Sequence, residues 1–358
     1  MSLRFIIGRP GTGKTKRIHA EIQQELKENP SGFPIIYLVP EQMTFLSESE
    51  LTKFPEINGM IRAQVYSFTR LAWKVLQEVG GISRYHISSV GLNMLIRKIM
   101  EDKKDDLQLF VKVADKPGFI EHIETMLTEF KRYCIDPDLL HSQQLLLQPE
   151  GKSKALADKL HDLELIYQSY QEMLIDKYVD SEDYLRLLAT SIEKSSYLKD
   201  ASIYIDGFHQ FTPQEYLVIS HLMKTCKKVT VALTVDRPFR NVKPDELQLF
   251  RMSGEAYATI YDLALQHQIT IEEDLVLTDP KRFQHESLQF LQSHFEKLPL
   301  PSFPKAPSIE LWQANNRRSE IEGIARHIRD VVRKEHARYR DIAILVRNGH
   351  EYQEMIET

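Results

Sequence analysis

The chain has 358 residues, 42% of them hydrophobic and 27% charged, and its 46 Lys+Arg against 51 Asp+Glu give a formal net charge of −5. This composition is typical of a folded globular chain and excludes disordered, collagen-like and coiled-coil rod proteins. No apolar run approaches the roughly 20 residues that cross a bilayer, and the two cysteines cannot form a disulfide framework, so we predict a cytoplasmic protein with no membrane partner.

The first predicted element is a short buried strand, Leu3–Ile7, which leads into a glycine-rich segment. Residues 8–15, GRPGTGKT, match the phosphate-loop pattern G-x-x-x-x-G-K-S/T at every fixed position. Residues 16–28 then show the apolar spacing of an amphipathic helix. The order strand, loop, helix is the context that this pattern requires, and it predicts a nucleotide site.

The chemistry of the segment indicates ATP and Mg²⁺ as cofactors. Its glycines allow backbone angles at which the loop N–H groups point at phosphate oxygens, assisted by the positive end of the helix. Lys14 can reach the β- and γ-phosphates, and the Thr15 hydroxyl can bind Mg²⁺. The predicted cofactor-binding residues are Gly8, Arg9, Pro10, Gly11, Thr12, Gly13, Lys14 and Thr15.

Further strands are predicted at 34–40 and 61–67, and strands separated by helices indicate a parallel, doubly wound sheet. Such sheets bind ligands at the carboxyl ends of their strands, so the segments after these strands are candidate sites. From about Ser83 to Thr190 glycine almost disappears and helical periodicity dominates, which predicts an all-α insertion. The predicted helices of this part span 91–100, 119–133, 154–177 and 181–192.

The sheet pattern returns with strands at 202–206 and 228–234, and a helix at 213–223 lies between them. Four prolines between Pro299 and Pro307 indicate a boundary. Beyond it we predict strands at Ile309–Trp312 and Asp341–Arg347, with a helix at 319–334 between them. This unit is too short for a complete domain, so we expect the chain to be part of a longer protein.

We therefore predict an α/β fold with three parts. Residues 1–82 and 195–298 form a P-loop, RecA-like parallel-sheet domain, and residues 83–194 form the helical insertion. Residues 308–358 form the truncated start of a second RecA-like α/β domain.

A P-loop site has a second element, an apolar strand that ends in a carboxylate. The strand at 202–206, which ends in Asp206, has this form. We predict that Thr15 and Asp206 hold the metal; the alternative is that Asp206 only ends the strand. Hydrolysing helicases normally have a glutamate next, which activates water, but this chain has Gly207. Glycine cannot accept a proton, so we predict no catalytic residue and slow or absent ATP turnover.

Several of these segments follow the order of superfamily 1 helicase motifs I, Ia, Ib and II. Together with Phe130–Tyr133 and Asp341–Arg347, they resemble the AddB family, the B subunits of bacterial AddAB ATP-dependent helicase–nucleases, over essentially the whole chain. The motif-like segments are residues 8–15, 38–45, 64–73 and 204–213.

The resemblance implies a partner, an AddA-like helicase–nuclease subunit that carries the active motor, and action on duplex DNA ends in double-strand break repair by homologous recombination. It implies that this chain resembles an inactivated motor that scans the emerging single strand for the Chi sequence. It also implies a C-terminal nuclease domain with an Fe–S cluster. Two cysteines cannot supply that cluster, so we expect this chain to lack nuclease activity.

The resemblance places five predicted DNA-binding residues in motifs Ia and Ib, and the segment after Asp206 adds a sixth. Aromatic side chains stack on bases, while arginine and glutamine read phosphates or base edges. Phe68 and Trp73 could instead be core residues, and Arg70 an ordinary surface charge. Phe211 is preferred to Phe208 because a helix begins beside it. The six are Gln42, Thr44, Phe68, Arg70, Trp73 and Phe211.

A weaker candidate for phosphate contact is Lys131-Arg132, for which a solvated helix face is the preferred interpretation. Two other functions remain open for the whole chain. One is an active superfamily 1 motor with another base in place of Gly207, and the other is a P-loop kinase of small molecules.

Overall fold

The structure, a computed structural model, describes residues 1–53, 62–80, 85–113, 116–147, 152–175, 177–180, 182–305 and 308–357. Outside these ranges lie the predicted domain boundary at 82–83, residues 306–307 of the proline-rich boundary, and the predicted first residues of a strand and a helix, Ile61 and Ser181. The chain forms two compact units, Met1–Arg282 and Phe283–Thr358. The division falls earlier in the chain than the proline-rich segment.

The first unit contains a parallel sheet with strand order β3-β2-β6-β7-β1-β8. Strand β8 pairs with the first residues of β1, and β9 pairs with the last residues of β1. A separate two-stranded parallel sheet joins β4 to β5. The strands are β1 Ser2–Gly8, β2 Ile35–Leu38, β3 Ala63–Tyr66, β4 Tyr85–His86, β5 Tyr178–Val179, β6 Ser202–Ile205, β7 Lys228–Leu233, β8 Thr270–Ile271 and β9 Leu275–Leu277.

The described residues form thirteen α-helices, and none of them is long and apolar enough to cross a membrane. The helices predicted from periodicity at 16–28, 91–100, 119–133, 213–223 and 319–334 are all present, with ends that differ by a few residues. The helices are α1 Lys14–Glu28, α2 Thr44–Thr52, α3 Phe68–Val79, α4 Ser89–Asp102, α5 Pro117–Arg132, α6 Pro137–Leu145, α7 Lys152–Leu174, α8 Asp183–Ser191, α9 Pro213–Thr225, α10 Arg251–Gln266, α11 Glu286–His294, α12 Arg317–Lys334 and α13 Gln353–Glu357.

The central strands are apolar at most positions because both faces of the sheet are buried. In β1, Leu3, Phe5 and Ile7 face one core, whereas Ile6 faces the core on the opposite side. This two-residue alternation is that of an extended strand. The predicted α/β class with a parallel, RecA-like sheet is confirmed.

Helices α4, α5, α6 and α7 pack around a core of their own, which is distinct from the two sheet cores. Ile96, Ile123 and Ile166 are among its most buried members. Helix α8 belongs elsewhere: it packs on α3, and Tyr184 and Leu188 join the main sheet core.

A buried ion pair ties the helical part to α8. Lys131 Nζ donates to Asp180 Oδ2 at 2.6 Å and to Asp183 Oδ1 at 3.0 Å, and all three residues are buried. Burial acts to raise the pKa of Asp180, but the adjacent Lys131 outweighs it and holds that pKa below its ordinary value. The interpretation of Lys131 as part of a solvated face is therefore wrong, whereas Arg132 is exposed and pairs with Glu182.

In the second unit, helix α12 is present, but the segments 309–312 and 341–347 are not strands in the structure. Leu311 is fully exposed and Leu345 is 91% exposed. A strand exists only where a neighbouring strand accepts and donates its backbone hydrogen bonds, and no described residue of this unit pairs with either segment. The strand predictions for Ile309–Trp312 and Asp341–Arg347 are therefore wrong.

We predict that Lys131→Met lowers the free energy of unfolding by about 3 kcal/mol, because it leaves two buried carboxylates without their cation. Arg132→Met is the matched control on the same helix, and its exposed pair with Glu182 contributes at most about 1 kcal/mol. Urea unfolding of both variants measures the difference. Equal losses would contradict the assignment of Lys131 as the stabilising residue.

Candidate nucleotide site and nucleic-acid face

The loop between β1 and α1 has the backbone conformation that its glycines permit. Gly13 has a φ of 93°, in the left-handed region that side-chain-bearing residues avoid. A Cβ on Gly8 would lie 2.5 Å from both Leu277 O and Thr12 Oγ1. Thr12 is buried and donates to Arg9 O at 2.9 Å, while Pro10 is exposed. The loop therefore needs glycine at position 13 for its backbone angle and at position 8 because any larger residue would displace its neighbours.

Lys14 lies inside this loop. Its side chain is buried, and Nζ donates to Gly8 O at 2.7 Å and to Arg9 O at 3.1 Å. Burial lowers the pKa of Lys14 to about 8; Asp206 opposes this effect and Arg282 adds to it. The amine is therefore still largely charged at neutral pH, in a position where a phosphate group would stabilise that charge.

Thr15 and Asp206, the two predicted metal ligands, are in direct contact with each other. Thr15 Oγ1 donates to Asp206 Oδ2 at 2.6 Å. The hydroxyl of Tyr37 donates to the same oxygen at 3.0 Å, and Gly207 N donates to Oδ1 at 2.8 Å. Burial raises the pKa of Tyr37, and the Asp206 charge raises it further, so Tyr37 remains a donor.

The donor set fits ATP with Mg²⁺. Oxygen ligands from one carboxylate and one hydroxyl, completed by phosphates and water, are the usual protein share of a magnesium site. The loop adds backbone N–H groups at a helix N-terminus and one lysine, which suit a polyphosphate. These groups come from β1, α1 and β6, and the sheet brings them together.

Gly207 has a left-handed φ of 84°. A Cβ at this position would lie 2.9 Å from Met43 Sδ and 3.1 Å from Pro40 Cδ. The segment after β2 thus closes the space that a side chain after Asp206 would need. The backbone conformation at this position favours glycine, and a glutamate would fit only if Met43 and Pro40 moved.

Other groups at the loop come from distant parts of the chain. Arg282 N donates to Gly11 O at 3.0 Å, and the Lys281 side chain lies close to Gly13. Arg9 Nη2 lies 3.6 Å from Asp236 Oδ2, and its guanidinium lies over the Phe250 ring at 5.5 Å. Sequence reasoning missed these neighbours, and Tyr37, because only the strand order of the folded sheet brings them to the loop.

Half of the six predicted DNA-binding residues are exposed and half are buried. Gln42 and Arg70 are exposed, and Trp73 is 37% exposed. Arg70 Nε lies 3.3 Å from Glu41 Oε1, so the segments after β2 and β3 meet as the sheet predicts. Phe45, 82% exposed next to Thr44, was not predicted.

The buried members have structural partners. Thr44 donates to Glu41 O at 2.9 Å at the start of α2. Phe68 and Phe211 belong to the main core and pack edge-on with ring centroids 6.4 Å apart. Phe208 is partly exposed, so the predicted order of exposure of Phe208 and Phe211 is reversed. Phe68 is thus a core residue, which was the alternative interpretation of the sequence.

Trp73 is held by an aromatic stack. Its ring lies 4.8 Å from the ring of the buried Tyr184, which in turn lies 6.0 Å from the ring of His86. His86 is exposed. The stack positions the Trp73 ring at the surface and was not visible in the sequence.

A parallel sheet with a phosphate loop after its first strand, and with a carboxylate from another strand bonded to the loop threonine, defines a P-loop protein of the RecA-like α/β type. Within this class the chain belongs to the AddB family: the model described as "ADDB, N-terminal" matches residues 5–292. The resemblance found in the sequence is thereby confirmed.

Curated relatives of this chain are named as the B subunit of an ATP-dependent helicase/deoxyribonuclease. The chain is 50% identical to the protein of Geobacillus kaustophilus (strain HTA426) and 50% identical to that of Anoxybacillus flavithermus (strain DSM 21510 / WK1). It is 45% identical to the protein of Bacillus thuringiensis subsp. konkukian (strain 97-27). The matches cover 100% of this chain and 31% of each relative, so the chain spans about a third of their length.

The depressed pKa of Lys14 predicts a pH-dependent stability. Between the folded pKa of about 8 and the ordinary value of 10.5 the unfolded chain binds more protons, so this group makes stability rise with pH there. We expect Lys14→Met to be more stable than wild type at pH 7 by about 2 kcal/mol, and the gain to shrink towards pH 10. Thermal unfolding of both proteins at pH 7, 8.5 and 10 measures this, and a loss of stability at pH 7 would contradict it.

Proposed function

We propose that this chain is the helicase-like part of the B subunit of a bacterial helicase–nuclease and that it binds ATP·Mg²⁺ and single-stranded DNA. The observation that carries the proposal is the contact between Thr15 and Asp206 directly beside Lys14 in the phosphate loop. Family membership and the names of the relatives support it.

In this proposal the loop N–H groups and Lys14 bind the phosphates, and Thr15 and Asp206 hold Mg²⁺, which neutralises phosphate charge when bound. Tyr37 and Gly207 N orient the Asp206 carboxylate through their hydrogen bonds. Lys281 and Arg282 add positive charge at the loop. Each of these groups binds or orients, and none of them is a base positioned to take a proton from water.

The site therefore suits a motor that has lost its activity. Gly207 supplies no general base, and a side chain at that position would require Met43 and Pro40 to move. Loss of general-base assistance reduces rates by about 10²- to 10⁴-fold. Nucleotide occupancy would then signal a state of the protein and would not drive translocation.

Single-stranded DNA would cross the exposed ends of β2 and β3. Trp73 offers a ring for base stacking, Arg70 a charge for a phosphate or a guanine edge, and Gln42 an amide for a base edge. Directional groups of this kind can read sequence, which a purely backbone-binding surface cannot. We propose that this face takes part in recognition of the Chi sequence.

The remaining parts of the assembly are also proposals. An AddA-like subunit would supply the active motor, and the complex would process duplex DNA ends for homologous recombination in the cytoplasm. Nuclease activity and an Fe–S cluster would reside outside these 358 residues, whose two cysteines cannot ligate such a cluster.

We predict that Lys14→Ala weakens ATP·Mg²⁺ binding by about 10- to 100-fold, because a hydrogen bond to a charged group contributes about 1.5–3 kcal/mol. Lys16→Ala is the matched control, since Lys16 is exposed near the start of the same helix. Isothermal titration calorimetry measures both.

Absence of ATP binding by wild type at millimolar concentration would refute the nucleotide site. Strong DNA-stimulated phosphate release that Lys14→Ala abolishes would instead support the active-motor alternative.

We predict that Trp73→Ala and Arg70→Ala each weaken binding of single-stranded oligonucleotides by about tenfold, since one stacked base or one charge contact contributes about 1–3 kcal/mol. The controls are Trp312→Ala and Arg251→Ala, which change an exposed tryptophan and an exposed, ion-paired arginine that are not part of this face. Fluorescence anisotropy of labelled oligonucleotides measures the four affinities. A wild type without oligonucleotide affinity would favour the small-molecule kinase.

A further inference from the structure

A short ribbon of two strands joins the sheet part of the first unit to helices α4 to α7. Strand β4 precedes α4 and strand β5 follows α7, and the two strands pair in parallel. Tyr85 N donates to Lys177 O at 3.0 Å where the pairing begins. We call residues 85–86 and 177–179 the connecting ribbon; none of them belongs to the phosphate loop or to the proposed DNA-binding set.

The connecting ribbon carries three exposed aromatic rings. Tyr85 is 79% exposed and Tyr178 is 38% exposed, and His86 is exposed as well. Tyr85 and Tyr178 are register partners, so their side chains lie beside each other on one face of the ribbon, on strands about 4.8 Å apart. The ribbon therefore offers flat ring surfaces to solvent, where a planar group could stack on them.

His86 connects the ribbon with Trp73 through the buried Tyr184. The ring centroid of His86 lies 6.0 Å from that of Tyr184, and the ring centroid of Trp73 lies 4.8 Å from that of Tyr184. Because both distances meet at Tyr184, the rings of Trp73 and His86 are at most about 11 Å apart. A stacked strand advances about 3.4 Å per nucleotide, so about three nucleotides cover this distance. The ribbon thus continues the proposed DNA face beyond Trp73.

The charges of this region favour a polyanion. The three described carboxylates that follow β5 in the chain are all ion-paired with basic side chains, Asp180 and Asp183 with Lys131, and Glu182 with Arg132. Lys177 in the ribbon and Lys74 beside Trp73 are exposed and add positive charge. Sites for single-stranded nucleic acid combine basic side chains, which follow the backbone, with aromatic rings on which bases stack.

We propose that the connecting ribbon binds single-stranded DNA, with Tyr85 and His86 as rings on which bases stack and Lys177 as a contact for a phosphate. This inference rests on the proposed function, because the strand reaches the ribbon from Trp73. The stretch of DNA in contact with this chain then extends past Trp73 by about three nucleotides. It ends at the junction between the sheet part and the helical part of the first unit.

The first test measures the affinity of the 358-residue chain for a fluorescent oligonucleotide of about 12 nucleotides, a length within the site sizes of single-strand-binding folds. Tyr85→Ala and His86→Ala should each weaken binding about five- to tenfold, because each removes one ring on which a base stacks. Tyr85→Phe and His86→Phe keep a ring and should bind like wild type. The controls are Tyr339→Ala and His122→Ala, which change an exposed tyrosine and an exposed histidine outside the ribbon.

The salt dependence of binding tests the lysine separately. Lys177→Met should weaken oligonucleotide binding and reduce the slope of log K against log salt concentration by about 0.7, the value for one phosphate contact on a single strand. Tyr85→Ala should leave that slope unchanged, because a stacked base releases no counterion. The control is Lys98→Met, an exposed lysine on α4, which should change neither the affinity nor the slope.

The outcomes separate this inference from the proposed function. If Trp73→Ala weakens oligonucleotide binding but Tyr85→Ala, His86→Ala and Lys177→Met do not, the proposed DNA face stands and the ribbon proposal is wrong. If wild type binds no oligonucleotide, both are wrong. Unchanged oligonucleotide affinity together with weaker binding of an AddA-like subunit would make the ribbon a protein interface and overturn the proposal.

A melting temperature measured for each variant excludes a merely structural effect. The three changed side chains are exposed, so Tyr85→Ala, His86→Ala and Lys177→Met should melt like wild type. If binding weakened only in variants that also melt at lower temperature, and the phenylalanine variants did not restore it, the ribbon would be a structural element and the proposal would be wrong.

Discussion

The hydrogen bond between Thr15 and the Asp206 carboxylate is the contact on which the rest of this site depends. It joins the first turn of α1 to the end of β6, two elements far apart in the chain. Tyr37 and Gly207 N hold the same carboxylate from two more directions. Three donors fix the position of the buried Asp206 carboxylate. Because one of the donors is Thr15, the phosphate loop stays beside the end of β6.

The same region links the loop to the proposed DNA face. Met43 and Pro40, which follow β2, lie against Gly207, and Glu41 between them pairs with Arg70 of α3. A displacement of Gly207 would therefore press on the segment that carries Gln42. If the proposed function holds, this contact would report to the DNA face whether the nucleotide site is occupied.

The sequence predicted those features that depend on local pattern. The buried strands β1, β2, β6 and β7 are apolar at most central positions, and the loop glycines have a fixed spacing. The strands and the phosphate loop could therefore be predicted from the sequence. The contacts of Tyr37 and Arg282 were not, because they depend on the strand order of the sheet. The strand predicted from apolar composition at 341–347 is absent, because a strand also needs a paired neighbour. Apolar composition also did not distinguish the buried Phe211 from the partly exposed Phe208.

Helices α4 to α7 have their own core, distinct from those of the sheet, and they meet the rest of the first unit through the Lys131 network with α8 and the packing of α5 against α9. Changes of packing at well-separated sites affect stability independently. Substitutions in the interior of this part are therefore not constrained by the geometry of the nucleotide loop. Over evolution the two regions can diverge at different rates, with selection on the insertion strongest at the few residues that touch α8 and α9.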